Sequence, residues 1–593
     1  MSTYNSAGSG NFNADATWTE SGQPSTDDVA VIASGHTVTM TADASVGSID
    51  IQGTLTTDGT ARTLTLDDGG QGYICEHRGT VSTTINLTIN SNFAGDRLIR
   101  LNNGGNGNFN NVSITLQSTS RKLTIGTEAA SIGGNLTIAQ GEFNTDSSNN
   151  YALTVGGELS NAGTFTGNSS TVTARNLLVT AGTFTAPDGS GSLILTGEGT
   201  SGSGDGYVFR RTGGTFTHSS GTLTITTPTT TSIRMGGVGS GQRFNNVILD
   251  ESSIGLFLQT NDEGFYCEGD LTLTDGDFNL NTNVDLLTVE GNVTVGANNT
   301  LGGITSTQTT DNSFGSLTIA SGGEYNATSG TTEITSEAGT GYAVDNSGTF
   351  THNSGTLEVG YASNSFIKLG SSVNNLTIRA ENSVVKWVDN TTIAGDVVII
   401  EGVFQPFNNA FTIDVNGDVS IQDGGTLGVT DSAQAYEFGS LTIASGATFI
   451  ATSGTTTITS RTGGSGTYAL ENNGTFTHNK GTVAITDADN VVSMGLGSSL
   501  YNLTLSGGSK KIRNNTTINN NLTLTSGDLY GHSGSLTLDV LGQTILNGGT
   551  TGQNIAFSGT MNWGNVTVNS GTLKLSSGTN NAESFRNVGG TIQ

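Results

Sequence analysis

The chain has 593 residues and a net charge of −28, from 21 basic and 49 acidic side chains. Nucleic acids are bound mainly through Lys and Arg contacts to phosphate, so this charge argues against a nucleic-acid partner and against anionic membrane surfaces. The two cysteines, Cys75 and Cys267, exclude a disulfide framework and are expected to be small buried apolar residues.

The first residues, from Met1 to Asn5, carry neither the basic segment nor the apolar core of a signal peptide. No apolar run reaches the ~18 residues of a membrane span, so we expect no membrane insertion. The sequence predicts a chain that begins in the cytoplasm. It then stays there, leaves by a route not encoded at its start, or joins a particle assembled inside a cell.

Residues 1–96 differ from the rest of the chain. Trp18 and Pro24 precede an alternating run from Val29 to Ile32, and further short strand-like runs follow. A solenoid needs an atypical first unit to cover its core, so we interpret 1–96 as an N-terminal cap that merges into the first coils.

From residue 97 onward the sequence repeats at a long period. The phrase from Phe109 to Val112 returns from Phe244 to Val247, an offset of 244 − 109 = 135, and Gly348 to Asn353 returns 126 residues later (474 − 348). We divide the chain into four modules: 97–231, 232–365, 366–491 and a partial 492–593. A long repeat of short strands is typical of an elongated array rather than a globular enzyme.

Within each module, short runs such as Thr222 to Thr226 alternate apolar and polar residues, which predicts strands with one buried face. Gly, Asn, Ser and Asp lie between the runs, where turns require them. The fold class predicted is all-β: an elongated parallel β-helix (β-solenoid) built from four long repeats, in preference to an array of β-sandwiches. At about 20 residues per coil, roughly 25–30 coils are expected.

His218, His352 and His478 recur in the same phrase of successive modules. Positions so far apart in sequence lie several coils apart, so they cannot share one metal ion. We interpret them as turn or strand-edge residues kept by duplication. The stretch from Asp414 to Asp418 lacks the spacing of a calcium-binding loop and is read as a β-turn.

Basic residues recur at one position of the repeat. They are possible surface contacts for an anionic sugar or a neighbouring subunit, although a solvated face is the simpler interpretation. Trp387 adds an aromatic ring of the kind that forms sugar platforms. The surface-contact candidates are Arg121, Lys122, Lys386, Trp387, Lys510 and Lys511.

The sequence contains no nucleophile elbow, zinc-protease motif or phosphate loop. No acidic cluster interrupts the repeat as an inserted active site would. We therefore predict no enzyme activity, no cofactor and no metal. A polysaccharide-degrading β-helix with paired carboxylates stays open as an alternative.

The phrases Gly163 to Thr166 and Asn135 to Ile138 resemble the repeats of β-helical phage tail fibres and adhesin-like proteins, and the stretch from Trp18 to Thr39 is similar to their strand-initiating segment. The resemblance implies a parallel β-helix with a structural or host-contact role. It implies a virion location, other virion or filament subunits as partners, and a homo-oligomer that is a trimer by analogy. A host surface glycan is a further possible partner. The alternative is a secreted bacterial adhesin or surface-layer filament on the cell surface.

Overall fold

The computed structural model describes residues 2–67, 72–91, 93, 95–101, 107–200, 206–229, 231–234, 243–258, 264–280, 286–303, 308–360, 363–462, 468–487, 491–495, 498–532, 535–548, 554–556, 559–573, 575 and 579–593. The chain forms two compact units, Met1–Thr305 and Ser306–Gln593. Their boundary falls inside the sequence module 232–365. The modules are therefore repeats of sequence and do not coincide with the units of packing.

Each unit is a parallel β-solenoid, as the sequence predicts. In the first unit, Thr3–Asn5 pairs with Val29–Ile32, which pairs in turn with Ser48–Ile51 and then Tyr73–His77, always in parallel. An antiparallel pairing joins Gly199–Thr200 to Gly206–Tyr207. Parallel stacking gives the backbone N–H and C=O groups of each inner coil partners in the coils before and after it.

The coils are longer than expected, and their length varies. Leu159 pairs with Leu177, an offset of 177 − 159 = 18, whereas Leu177 pairs with Phe209, an offset of 209 − 177 = 32. Longer turns between short strands account for the difference. The chain consequently makes about 22 turns, fewer than the 25–30 coils expected from the sequence.

The longest strands have seven residues or more, and most of them change register with a neighbouring strand partway along. They are Ile85–Ser91, Leu153–Asn161, Thr171–Val179, Asn246–Leu258, Leu271–Leu280 and Leu287–Val295 in the first unit, and Asn312–Ile319, Asn375–Trp387, Val397–Pro406, Ile413–Ile421 and Tyr436–Ile443 in the second. Two short 3-10 turns, Asp15–Thr17 and Phe407–Asn409, lie outside the strands. The described residues include no helix long and apolar enough to cross a membrane.

The Gly-Thr-Phe-Thr phrases build an aromatic column in the core of the first unit. Thr164–Thr166, Thr183–Thr185 and Thr215–Thr217 pair in register, so their central rings fall above one another. Phe165 and Phe184 stack at 4.6 Å between ring centroids, and Phe184 and Phe216 at 5.9 Å. Ring stacking contributes beyond area burial, which explains why the phrase recurs. At the start of the unit, Trp18 is buried edge-on against Phe12.

The recurring Asn before each Leu-Thr strand forms a second column, here called the amide ladder. The side-chain oxygen of one coil accepts the backbone N–H of the equivalent residue in the next coil, and Asp takes the same role where it replaces Asn. These bonds run from Asn135 to Asn111 (2.8 Å), Glu158 to Asn135 (2.9 Å), Asp270 to Asn246 (2.9 Å), Asp396 to Asn375 (2.9 Å) and Asp418 to Asp396 (2.8 Å).

In the second unit, corresponding positions of successive modules lie on different faces of the solenoid. Tyr342–Asn346 pairs with Ser365–Lys368, which leads through Phe404 and Phe449 to Thr475–Thr477; we call this the Tyr342 face. Tyr468–Asn472 instead pairs with Tyr436–Ile443 and Val491–Gly495 on another face, the Tyr468 face. The 126-residue repeat is therefore not a whole number of coils, and its pattern rotates about the axis.

Candidate functional site

The three recurring histidines close identical tight turns. The imidazole Nδ1 of His218, His352 and His478 accepts the backbone N–H two residues later at 3.0 Å. The N–H of the following glycine bonds back to the His carbonyl, and the two residues between them have positive φ. This is the geometry of a primed turn capped by its first side chain. The interpretation of these histidines as turn residues is confirmed.

Both cysteines are buried and free, as predicted. Burial raises the pKa of the Cys75 thiol far above its ordinary value, and it raises the pKa of Cys267 to about 12. A thiol that stays protonated is a poor nucleophile and a poor metal ligand. The cysteines therefore serve packing.

A polar cluster lies on the first unit around Arg243. Its guanidinium is 3.2 Å from Glu268 and 3.7 Å from Glu290, and it lies 3.8 Å from the ring centroid of Tyr266. His218 Nε2 donates to Glu268 at 3.1 Å, because its Nδ1 is already an acceptor. Tyr266 donates its hydroxyl to Glu290. Both carboxylates are thus held by donors from neighbouring coils, an arrangement suited to joining coils rather than to proton transfer.

Two of the candidate surface-contact residues are not at the surface. Trp387 is fully buried and packs edge-on against Phe404, with ring centroids 5.9 Å apart. Strand alternation explains this, because its neighbour Lys386 points outward. The prediction that Trp387 is a surface platform is wrong.

Lys510 is 1% exposed, so the prediction that it is a surface contact is also wrong. Its ammonium donates to the carbonyls of Asp487 (2.7 Å) and Gly508 (3.0 Å). The carboxylate of Asp487 lies 3.6 Å from Arg461. A buried ammonium requires such acceptors, and here the backbone supplies two of them.

The remaining candidates lie outward but are not brought together. Arg121 and Lys122 are half-buried in the first unit, where Lys122 pairs in register with Glu142. Lys386 lies on the Tyr342 face and Lys511 on the Tyr468 face. Because the repeat rotates, the basic residues do not form one common stripe along the second unit.

Lys386 belongs to a mixed aromatic and basic row. Tyr342 pairs in register with Phe366, and Phe366 pairs with Lys386, so all three project from the Tyr342 face. The Lys386 ammonium is 5.2 Å from the ring centroid of Phe366. Phe407 packs edge-on to the same ring at 5.2 Å, and Tyr342 lies 5.3 Å away. All four side chains are half-buried. We call them the Lys386 row.

The next module has a related arrangement on the Tyr468 face, with Ser493 in register between Tyr468 and Lys511 where the first row has Phe366. Lys511 pairs in register with Tyr530, and the guanidinium of Arg513 lies 5.1 Å from the ring centroid of Tyr468. All four side chains are half-buried, and we call them the Lys511 row.

The sequence contains two signals that could have revealed these rows. Tyr342, Phe366 and Tyr468 occupy outward strand positions, and the two equivalent tyrosines lie 468 − 342 = 126 residues apart. What sequence reasoning missed is which residues become neighbours, because Tyr342 and Lys386 are separated by two coils of chain.

Throughout the described ranges, no group of three or more His, Cys, Asp or Glu side chains is placed to hold a metal ion. Comparison of the chain with protein-family models, with curated proteins and with solved structures finds no match. Functional inference therefore rests on the residues of this chain.

Proposed function

We propose that this chain is a non-enzymatic structural protein, a virion-associated fibre or spike component that contacts a host surface. The proposal rests on the structural role of the polar residues that recur along the chain. The amide ladder, the histidine turns and the cluster around Arg243 all bond one coil to the next or close a turn. Such residues serve the assembly of a long stack. The resemblance of the repeats to those of tail fibres adds the virion location.

The location can be tested by fractionation of the native source on a density gradient, with the chain followed by antibody. Co-sedimentation with particles supports the proposal. Co-sedimentation with cell envelopes, and depletion from particles, would instead support the adhesin or surface-filament alternative.

The absence of enzyme activity can be tested with acidic and neutral polysaccharides, by measuring new reducing ends over time. We expect none above the rate with heat-denatured protein. Time-dependent release that is lost in the double variant E268Q/E290Q would overturn the proposal in favour of a polysaccharide-degrading β-helix.

Partner subunits are also part of the proposal. A fibre component is expected to associate with copies of itself, as a trimer by analogy, and with other virion subunits. Sedimentation-velocity ultracentrifugation measures the mass directly. A species of three chains supports the fibre proposal, and a monomer at all concentrations tested weighs against it.

A further inference from the structure

The Lys386 and Lys511 rows contain cations without carboxylate partners. Ion pairs hold only some of the basic side chains that the structure describes. The described ion pairs involve Arg62, Arg78, Arg100, Arg243, Lys368, Arg379 and Arg461. In the described part of the chain, Lys386, Lys511 and Arg513 take part in no ion pair. Other described cations, Lys122 and Arg175 among them, also lie outside ion pairs. What marks Lys386, Lys511 and Arg513 is that each row also holds two or more aromatic rings.

The same rows present aromatic rings at an outward surface. Tyr342, Phe366 and Phe407 lie together and half-buried, although a strand position facing water is usually polar. Aromatic rings at a surface supply a large, rigid apolar area and are typical of binding sites. Lys368 lies on the same strand as Phe366 but differs from Lys386, because its ammonium forms an ion pair with Asp345 at 3.1 Å.

From these two observations we infer that the rows bind a polysaccharide that carries carboxylates. The apolar faces of the sugar rings pack against Tyr342 and Phe407, and a sugar carboxylate pairs with the Lys386 ammonium. The second row offers Tyr468, Tyr530, Lys511 and Arg513 for the same contacts. The inference deepens the proposed host-contact role and rests on it.

Local charge decides this recognition. Counter-ions screen exposed charges beyond a Debye length of about 8 Å at physiological salt, so the distant acidic residues repel the ligand weakly. Glu337 lies near the Lys386 row, because its carboxylate and the Phe366 ring both border Gly341. Asp528 lies near the second row, 3.4 Å from the Tyr530 hydroxyl. Lys386, Lys511 and Arg513 take part in no ion pair among the described residues, which leaves these cations available to the ligand.

The test is calorimetric titration of the full chain with polygalacturonate oligomers and, separately, with dextran oligomers of equal length. We expect binding of polygalacturonate and none of dextran. The double variant K386Q/K511Q replaces both lysines by a neutral polar side chain and so loses two charges, and we expect its affinity to fall at least about tenfold. The matched control K368Q removes a lysine that is already paired, and we expect its affinity to stay within about twofold of the wild type.

F366L reports on the aromatic part, with folding checked by circular dichroism. We expect a loss of affinity comparable with that of the single variant K386Q, because both changes affect the Lys386 row alone. Absence of polygalacturonate binding, equal binding of dextran, or equal losses in K368Q and K386Q/K511Q would each overturn the inference. These results are independent of location: a fibre that fails to bind the polymer would still co-sediment with particles.

Discussion

At the scale of single residues, recurrence in this sequence reflects bonds between successive coils. An Asn oxygen that accepts an N–H of the next coil holds the register of the stack, and the same residue recurs wherever that bond is made. The histidine turns act locally, because their side chain replaces a backbone acceptor. Both roles belong to polar side chains that, considered one at a time, would suggest a catalytic or metal-binding site.

Substitution of Asn135 by Ala should remove the acceptor of the Glu158 N–H and destabilise the coil by about 0.5–1.5 kcal/mol. N135D keeps the acceptor, as Asp396 does at the equivalent position, and should stay within about 0.5 kcal/mol of the wild type. Hydrogen exchange of the Glu158 amide measures this locally. Equal exchange in N135A and the wild type would show that the ladder bond contributes nothing.

Acidification should weaken the turn at His352. Burial lowers the pKa of His352 below its ordinary value of 6.5, because the neutral ring is favoured in the fold. The unfolded chain therefore binds the proton first. The stabilisation is fully present above about pH 6.5 and is lost as pH falls through the lower pKa of the folded state.

Urea unfolding of the wild type and H352N across about pH 5–8 measures this effect. Asn can cap the same turn but does not titrate. The stability of the wild type relative to H352N should fall on acidification. A difference that is constant, or that grows at low pH, would contradict the lowered pKa.

At the scale of elements, each coil depends on the coils that touch it. Phe184 lies between Phe165 and Phe216 in the aromatic column and is fully buried. Neighbouring coils interact, and distant ones do not, as in other repeat proteins.

F184A should therefore destabilise the solenoid by about 3–5 kcal/mol, and F184L, which keeps most of the volume, by less than ~1.5 kcal/mol. Hydrogen exchange should rise in Thr164–Thr166 and Thr215–Thr217 and stay unchanged in Val29–Ile32. Equal loss of protection in all three strands would show that the unit unfolds as a whole.

Much of the arrangement of strands and coils could be predicted from the sequence. The alternation in Thr222 to Thr226 correctly indicates a half-buried strand, and the Gly-Thr-Phe-Thr phrases indicate coils that match one another. Lys510 could not be predicted as buried, because the sequence does not reveal the two backbone carbonyls that accept hydrogen bonds from its ammonium. The position of Trp387 follows from alternation, but only once the strand register is known.

Which residues become neighbours in the Lys386 row could not be predicted from the sequence, for a related reason. Its members are 24 and 20 residues apart (366 − 342 and 386 − 366), and coil length varies from turn to turn. Without a fixed period, no spacing rule identifies residues that become neighbours on adjacent coils. The rotation of the 126-residue pattern likewise depends on the sum of several unequal coils.

At the scale of the whole molecule, the chain combines two β-solenoid units with a strongly acidic composition. A high net charge of one sign keeps copies soluble and opposes non-specific association. Against that background, the Lys386 and Lys511 rows group cations with aromatic rings. We propose on these grounds a structural protein with local contact sites.

Immunogold electron microscopy of the native source, with antibody against this chain, tests the central proposal most directly. We predict gold on the appendages of virus particles. Gold on cell envelopes, with the particles bare, would contradict the virion assignment and identify the chain as an adhesin or surface filament.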